Sequence, residues 1–107
     1  MTQYIQVFTT TEKKEDTEKI TKIILERRLA ACVQILGPIT SKYWWKGKIE
    51  TTEEWVCIIK SRKNLYKELE QAIKEIHAYE NPEIIALPIE TGRKEYLNWL
   101  NKELKKK

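Results

Sequence analysis

The chain is poor in the residues that most often carry chemistry or mark special backbone. It has one histidine, two cysteines, three glycines and three prolines in 107 residues. The lone histidine, His77, leaves no second imidazole for a hydrolase triad. The glycines stand apart at 37, 47 and 92, so neither a P-loop nor a G-x-G-x-x-G turn can form, and no G-x-S-x-G is present. Cys32 and Cys57 are too few and too central for a disulfide scaffold, which fits a reducing compartment. Neither C-x-x-C nor H-x₃-H spacing occurs, so no closed metal site is readable within one chain. No apolar run approaches the roughly 20 residues of a membrane span, and the polar N-terminus does not resemble a signal peptide. A cytoplasmic protein with no membrane partner is the expectation.

What is present reads as one globular domain over residues 1–107, with no repeat, linker or low-complexity segment. Charged residues make up 34% and hydrophobic ones 41%, with a net charge of +4. Lysines and glutamates interleave along Glu12–Arg28 and Lys60–Glu75, as on solvated helix faces. Positive charge concentrates only at Lys42, Lys46 and Lys48 and in the Lys105–Lys107 tail, a pattern that argues against nucleic-acid binding.

Gln3–Thr10 reads as a strand and Lys13–Leu29, with Ile20, Ile23, Ile24 and Leu25 at helical spacing, as a helix. Two long strand segments follow, Leu29–Ser41 and Ile49–Lys60. Leu65, Leu69, Ala72, Ile73 and Ile76 form the stripe of a second helix. Asn81-Pro82 turns the chain into a short strand, Glu83–Ile89, and a last helix follows Thr91-Gly92 with Tyr96, Leu97, Leu100 and Leu104 inward. The order predicts an α+β fold, the ferredoxin-like βαββαβ repeat with an extra C-terminal helix. Its antiparallel sheet has the first and third strands central. Trp55–Ile59 and Ile84–Leu87 are apolar at successive positions, so both sheet faces need cover, yet the two main helices cover one. A second copy of the same sheet is the economical cover, and the appended helix alone is the alternative.

Between the long segments lies Tyr43-Trp44-Trp45-Lys46-Gly47-Lys48-Ile49, the tip of a hairpin. Lys46 at a positive φ would be strained, so the expectation is a type I turn closed by Gly47 in a G1 bulge, not a type I′ pair. Arms of about a dozen residues exceed the usual strand of about 5–6 and leave edges and tryptophans to be covered by another chain. Gly37-Pro38 marks a bulge or bend in the first arm. If Trp44 pairs with Lys48, Cys32 lies opposite Lys60 and Cys57 opposite Ile35, on the order of 10 Å apart and too far for a disulfide.

Catalysis is not expected. Acylphosphatases share this size and fold type, but they carry an arginine in an anion-binding loop after the first strand. Here that loop is Thr9-Thr10-Thr11-Glu12-Lys13. Cys32, Cys57 and His77 are the soft or borderline ligands, suited to copper or zinc. Cys57 reads as core; Cys32 is open between core and ligand or interface thiol. His77 ends the second helix, where it either complements the helix terminus or joins Tyr79, Glu80 and Glu83 in a polar loop. The topology places His77, Glu80, Glu83, the Trp44-Trp45 tip and Thr9–Thr11 on one rim, with Cys32 at the opposite end. A site joining Cys32 and His77 must then be built between subunits.

Leu29–Val33, Tyr43–Ile49 and the long run His77–Ile89 together resemble the CutA divalent-cation-tolerance family. Gly37–Ser41 and Ile59–Arg62 support the match, which spans nearly the whole chain. Ala78, where the family commonly has proline, and Asn81, where an apolar residue is usual, depart from its pattern. The resemblance implies a tight homotrimer with hairpins pairing across subunits, tolerance of divalent metals (copper above all), inter-subunit clefts, and a likeness to the trimeric PII signalling proteins. On the chemistry of the residues, His77, Cys32 and Glu83 are the candidate copper ligands, with Glu80 or a neighbour's cysteine as alternatives beside the single histidine, and Trp44, Trp45, Lys60, Tyr79 and Glu80 are the candidate cleft residues. Three functions follow: a trimeric copper-binding tolerance protein, a PII-like sensor of a small anionic metabolite held by Lys60 and Arg62 beside Tyr43, Trp44 and Tyr79, or a scaffold whose aromatics serve only trimer packing.

Overall fold

A computed structural model describes residues 3–106. Along the chain run β1 (Tyr4–Thr11), α1 (Lys14–Glu26), β2 (Cys32–Trp45), β3 (Lys48–Arg62), a 3₁₀ turn (Lys63–Leu65), α2 (Tyr66–Ile76), β4 (Ile84–Ile89) and α3 (Lys94–Glu103). The sheet is antiparallel in the order β2-β3-β1-β4, with the first and third strands central as the sequence predicts.

Strand alternation divides the sheet into two unequal faces. Ile5 and Val7 of β1 and Cys57 and Ile59 of β3 are buried against Ile20 and Ile24 of α1 and Leu69 and Ile73 of α2. This is the core. α1 stops at Glu26, short of the expected Leu29, because Arg28 takes a left-handed φ of 56°. There the Leu29 amide turns back to the Ile24 carbonyl at 2.9 Å, so the chain leaves the helix with its last carbonyls satisfied.

α3 lies on the second face, but only at one end. Lys60 Nζ donates to Tyr96 Oη at 3.2 Å, and the Arg62 guanidinium reaches Asn101 Oδ1 at 2.8 Å and the Lys105 carbonyl. The remainder of that face stays bare: Leu36, Ile85 and Leu87 are each about half exposed. One short helix does not cover it.

The hairpin differs from expectation at its tip. Trp45 pairs with Lys48, and both Lys46 (φ 50°) and Gly47 (φ 79°) are left-handed, a two-residue turn of the I′ kind. The G1-bulge expectation is wrong here. A positive φ costs a lysine about 1–2 kcal/mol, but a primed turn matches the right-handed twist of a long ribbon, and that match prevails. Trp44 therefore faces Ile49, one residue from the expected Lys48. Yet Cys32 does face Lys60 and Ile35 faces Cys57, because a bulge between Leu36 and Ile39 takes up the extra residue. Gly37 is needed in that bulge: a Cβ there would lie 2.3 Å from the Trp55 ring. Cys32 and Cys57 are both free thiols and, by alternation, point to opposite faces. The arms reach 14 and 15 residues and stretch the molecule to 44 Å against 25 and 21 Å in the other directions.

Candidate functional site

Where β1 ends, β2 and β3 continue outward as a two-stranded ribbon, and the loop after α2 folds across the junction. His77 leaves the helix with extended backbone (ψ 137°), which swings its ring toward β1. Its Nε2 lies 2.8 Å from the Thr10 carbonyl, and its Nδ1 lies 3.0 Å from the Tyr79 amide. An amide can only donate, so Nδ1 is bare, and Nε2 carries the proton given to Thr10. Both ring nitrogens are thus committed to backbone. Burial pulls the imidazole below its usual range, opposed by the Thr10 carbonyl and by the charges of Asp16 and Glu54. The ring is neutral at pH 7.

The Tyr79 ring packs on His77 at 5.0 Å between centroids, and its hydroxyl donates to Glu54 Oε2 at 2.7 Å. Burial raises the Tyr79 phenol, and the hydrogen bond and charge of Glu54 raise it further, with lesser help from Glu12 and Tyr43. Glu54 sits one position beyond the last β1–β3 pair, Thr11 with Trp55, and only 7% of it is exposed. The candidate site is therefore a chain of contacts from Thr10 through His77 and Tyr79 to Glu54, roofing the root of the ribbon.

The expected rim is in part a real cluster. His77, Tyr79 and the end of β1 meet as the topology predicts, whereas Glu80 and Glu83 are exposed in the loop. Trp44 and Trp45 are exposed at the far end of the ribbon, away from the loop. Cys32 faces Lys60 toward the opposite end of the sheet, with Lys60 tied to Tyr96. Among the described residues no three His, Cys, Asp or Glu side chains group as a metal would need. Cys57 is fully buried in the core, and that burial pushes its thiol up to about 11. A hollow of about 890 Å³ beside β4, lined by Tyr4, Tyr66, Lys67, Pro88 and Leu97 among others, holds none of the candidate residues.

Sequence reasoning missed Glu54. The signal was there: Glu53-Glu54 sits inside a strand, where neighbours point to opposite faces, so one carboxylate of the pair had to turn inward.

The chain is thus a ferredoxin-like α+β domain with a ribbon projecting past its sheet and one sheet face half bare. Residues 5–103 match the CutA1 divalent ion tolerance protein family, and the chain belongs to it. It is 43% identical over 95 residues to a divalent-cation tolerance protein CutA of Archaeoglobus fulgidus, spanning 89% of this chain and 92% of that one. A Pyrococcus horikoshii relative with the same description is 42% identical over 102 residues, spanning 95% and 99%. Among solved structures, CutA1 from Oryza sativa superposes with a TM-score of 0.95 at 40% identity, covering 98% of this chain and 96% of that one. The Thermus thermophilus divalent cation tolerance protein gives 0.93 at 36% identity, covering 95% and 99%. The family is described by divalent-cation tolerance and not by a reaction. No helix among the described residues is long and apolar enough to cross a membrane.

Proposed function

We propose that this chain works as a homotrimer in tolerance of divalent cations, copper foremost, as a cytoplasmic binding protein and not an enzyme. Membership of the family supports the metal side of this reading. The observation that carries the assembly is the bare half of the second sheet face, where Leu36, Ile85 and Leu87 stand about half exposed on regular strands. Burying such a face gains roughly 25 cal/mol per Å² of apolar surface, and a second and third copy supply the matching surface.

Copper would be held between copies, since the described residues of one chain gather no three ligands. His77 brings an imidazole by giving up a backbone partner, the Tyr79 amide at its bare Nδ1 or the Thr10 carbonyl at Nε2, Glu83 brings an exposed carboxylate, and the half-buried Cys32 thiol comes from a neighbouring copy. Imidazole, thiolate and carboxylate together suit copper. The alternative, a PII-like sensor of a small anionic metabolite, has less to stand on. Lys60 and Arg62 are engaged with α3, and the rim's buried charge, Glu54, is negative.

Calorimetric titration with copper, on wild type, His77→Ala and Cys32→Ser, with light scattering for mass, tests the proposal. A trimer binding about one copper per chain, with binding lost in a variant, is the expected result. Weak copper binding that neither substitution changes removes the metal role, and a monomer removes the assembly.

A further inference from the structure

Four threonines lie where α1 covers the sheet, Thr9 and Thr11 on β1 and Thr17 and Thr21 on α1. Their hydroxyls divide into two pairs. Thr11 Oγ1 donates to the Lys13 carbonyl at 2.9 Å, and Thr17 Oγ1 donates to the Lys14 carbonyl one turn back in its own helix. Thr9 Oγ1 and Thr21 Oγ1 are shut off from solvent, and neither completes a hydrogen bond among the described residues. Buried hydroxyls are seldom left so.

Thr21 could do what Thr17 does. It stands one turn further along the stripe that buries Thr17, Ile20 and Ile24. A helical threonine there ordinarily turns its hydroxyl back onto a carbonyl three or four residues earlier. The Thr21 hydroxyl lies instead beside Cys57: burial raises that thiol, and the hydroxyl opposes the rise. Thr9 reaches the same place from the sheet. It is the direct partner of Cys57 across β1 and β3, and both residues are wholly buried. Side chains so paired on one face stand about 4.5–5.5 Å apart at Cβ.

Helix and sheet thus bring two unsatisfied hydroxyls to one thiol. A thiol is a weak donor and a weak acceptor, so it completes neither. With its thiol raised to about 11, Cys57 is uncharged at pH 7, as the hydroxyls are. Such a set suits a small neutral ligand that both donates and accepts. Water does so, and a buried water makes about three hydrogen bonds.

We infer that one buried water binds between Thr9 Oγ1, Thr21 Oγ1 and Cys57 Sγ, joining α1 to the two central strands. The site is internal to one chain and independent of metal and assembly.

High-resolution crystallography of the full chain tests the site, beside urea melts of Thr9→Val, Thr21→Val and the double variant. Wild type should show one ordered water within hydrogen-bond distance of both hydroxyls. Each single substitution should lower the folding equilibrium constant about 10-fold, because it leaves the other hydroxyl and the water short of a partner. The double variant should be no less stable than the worse single, since neither hydroxyl then remains to be satisfied. A wild-type crystal with no water on both hydroxyls, or with Thr21 turned back onto the Thr17 carbonyl, overturns the site. So does a single valine variant more stable than wild type, the mark of a dry oxygen. A double variant whose loss is the product of the two single losses overturns it too. Should Thr9→Val not fold, the wild-type crystal and Thr21→Val decide by themselves.

Discussion

Two charged side chains are buried on the second sheet face, Arg62 near one end of β3 and Glu54 eight positions away, 6% and 7% exposed. Neither pairs with an opposite charge among the described residues. Arg62 is nevertheless complete: it donates to Asn64 Oδ1 at 3.2 Å, to Asn101 Oδ1 at 2.8 Å, and to the Lys105 carbonyl. Asn101 and Lys105 lie at the C-terminal end of α3, where the last carbonyls lack helical partners and the helix dipole favours a cation. Glu54 takes the Tyr79 hydroxyl, a neutral donor from the loop after α2. Burial is equal at the two ends, but the cation is tied by several acceptors and the carboxylate by a phenol.

The largest effect should come from breaking the finished end. Arg62→Ala strips α3 of its anchor and should cost about 2–4 kcal/mol, since hydrogen bonds from a charged donor are worth roughly 1.5–3 kcal/mol each and are not additive. Urea melts should show it, with amide exchange rising first in α3. Equal protection of α3 in the variant would mean that Leu100 and Leu104 hold the helix without Arg62.

Next in size, Tyr79→Phe removes the hydroxyl that donates to Glu54 and should cost about 1–2 kcal/mol. The comparison sharpens if urea melts show that loss while amide exchange in α3 stays unchanged. A variant with the wild-type midpoint would mean that water replaces the phenol at Glu54 without cost.

The smallest effect is the pH response of His77. Its pKa is lowered in the fold, so the folded state favours the neutral ring. The corresponding stability is fully present above the unfolded value, about 6.5, and is lost as pH falls through that value toward the folded one. Protonation at Nδ1 also forfeits the bond from the Tyr79 amide. Melts at pH 7.5 and pH 5 should separate wild type from His77→Gln by more at the higher pH. Parallel pH profiles for the two proteins would exclude His77 as the titrating group.

Much of this was legible in the residues. The element order and the central strands followed from periodicity, and the run Trp55–Ile59 announced a sheet greasy on both sides. His77 and Tyr79 were readable because their loop is short and tied to a helix end, which leaves few places to go. The I′ tip was misread because local strain at Lys46 is visible in sequence, whereas the twist that outweighs it belongs to the whole ribbon. Glu54 was passed over for a related reason. Which of Glu53 and Glu54 is buried depends on the register of β3 against β1, and both look equally solvated as letters.

Residue pattern by itself therefore determined what folds locally: the 3.6-residue stripes of α1 and α2, the alternating β1, the Gly37-Pro38 bulge, and the family. Tertiary structure alone decided what each buried charge meets. Only the packed chain shows Asn101 and the Lys105 carbonyl meeting Arg62 at one end and the Tyr79 hydroxyl meeting Glu54 at the other, because the surroundings of a buried charge are set by neighbours distant in sequence and not by the residue itself.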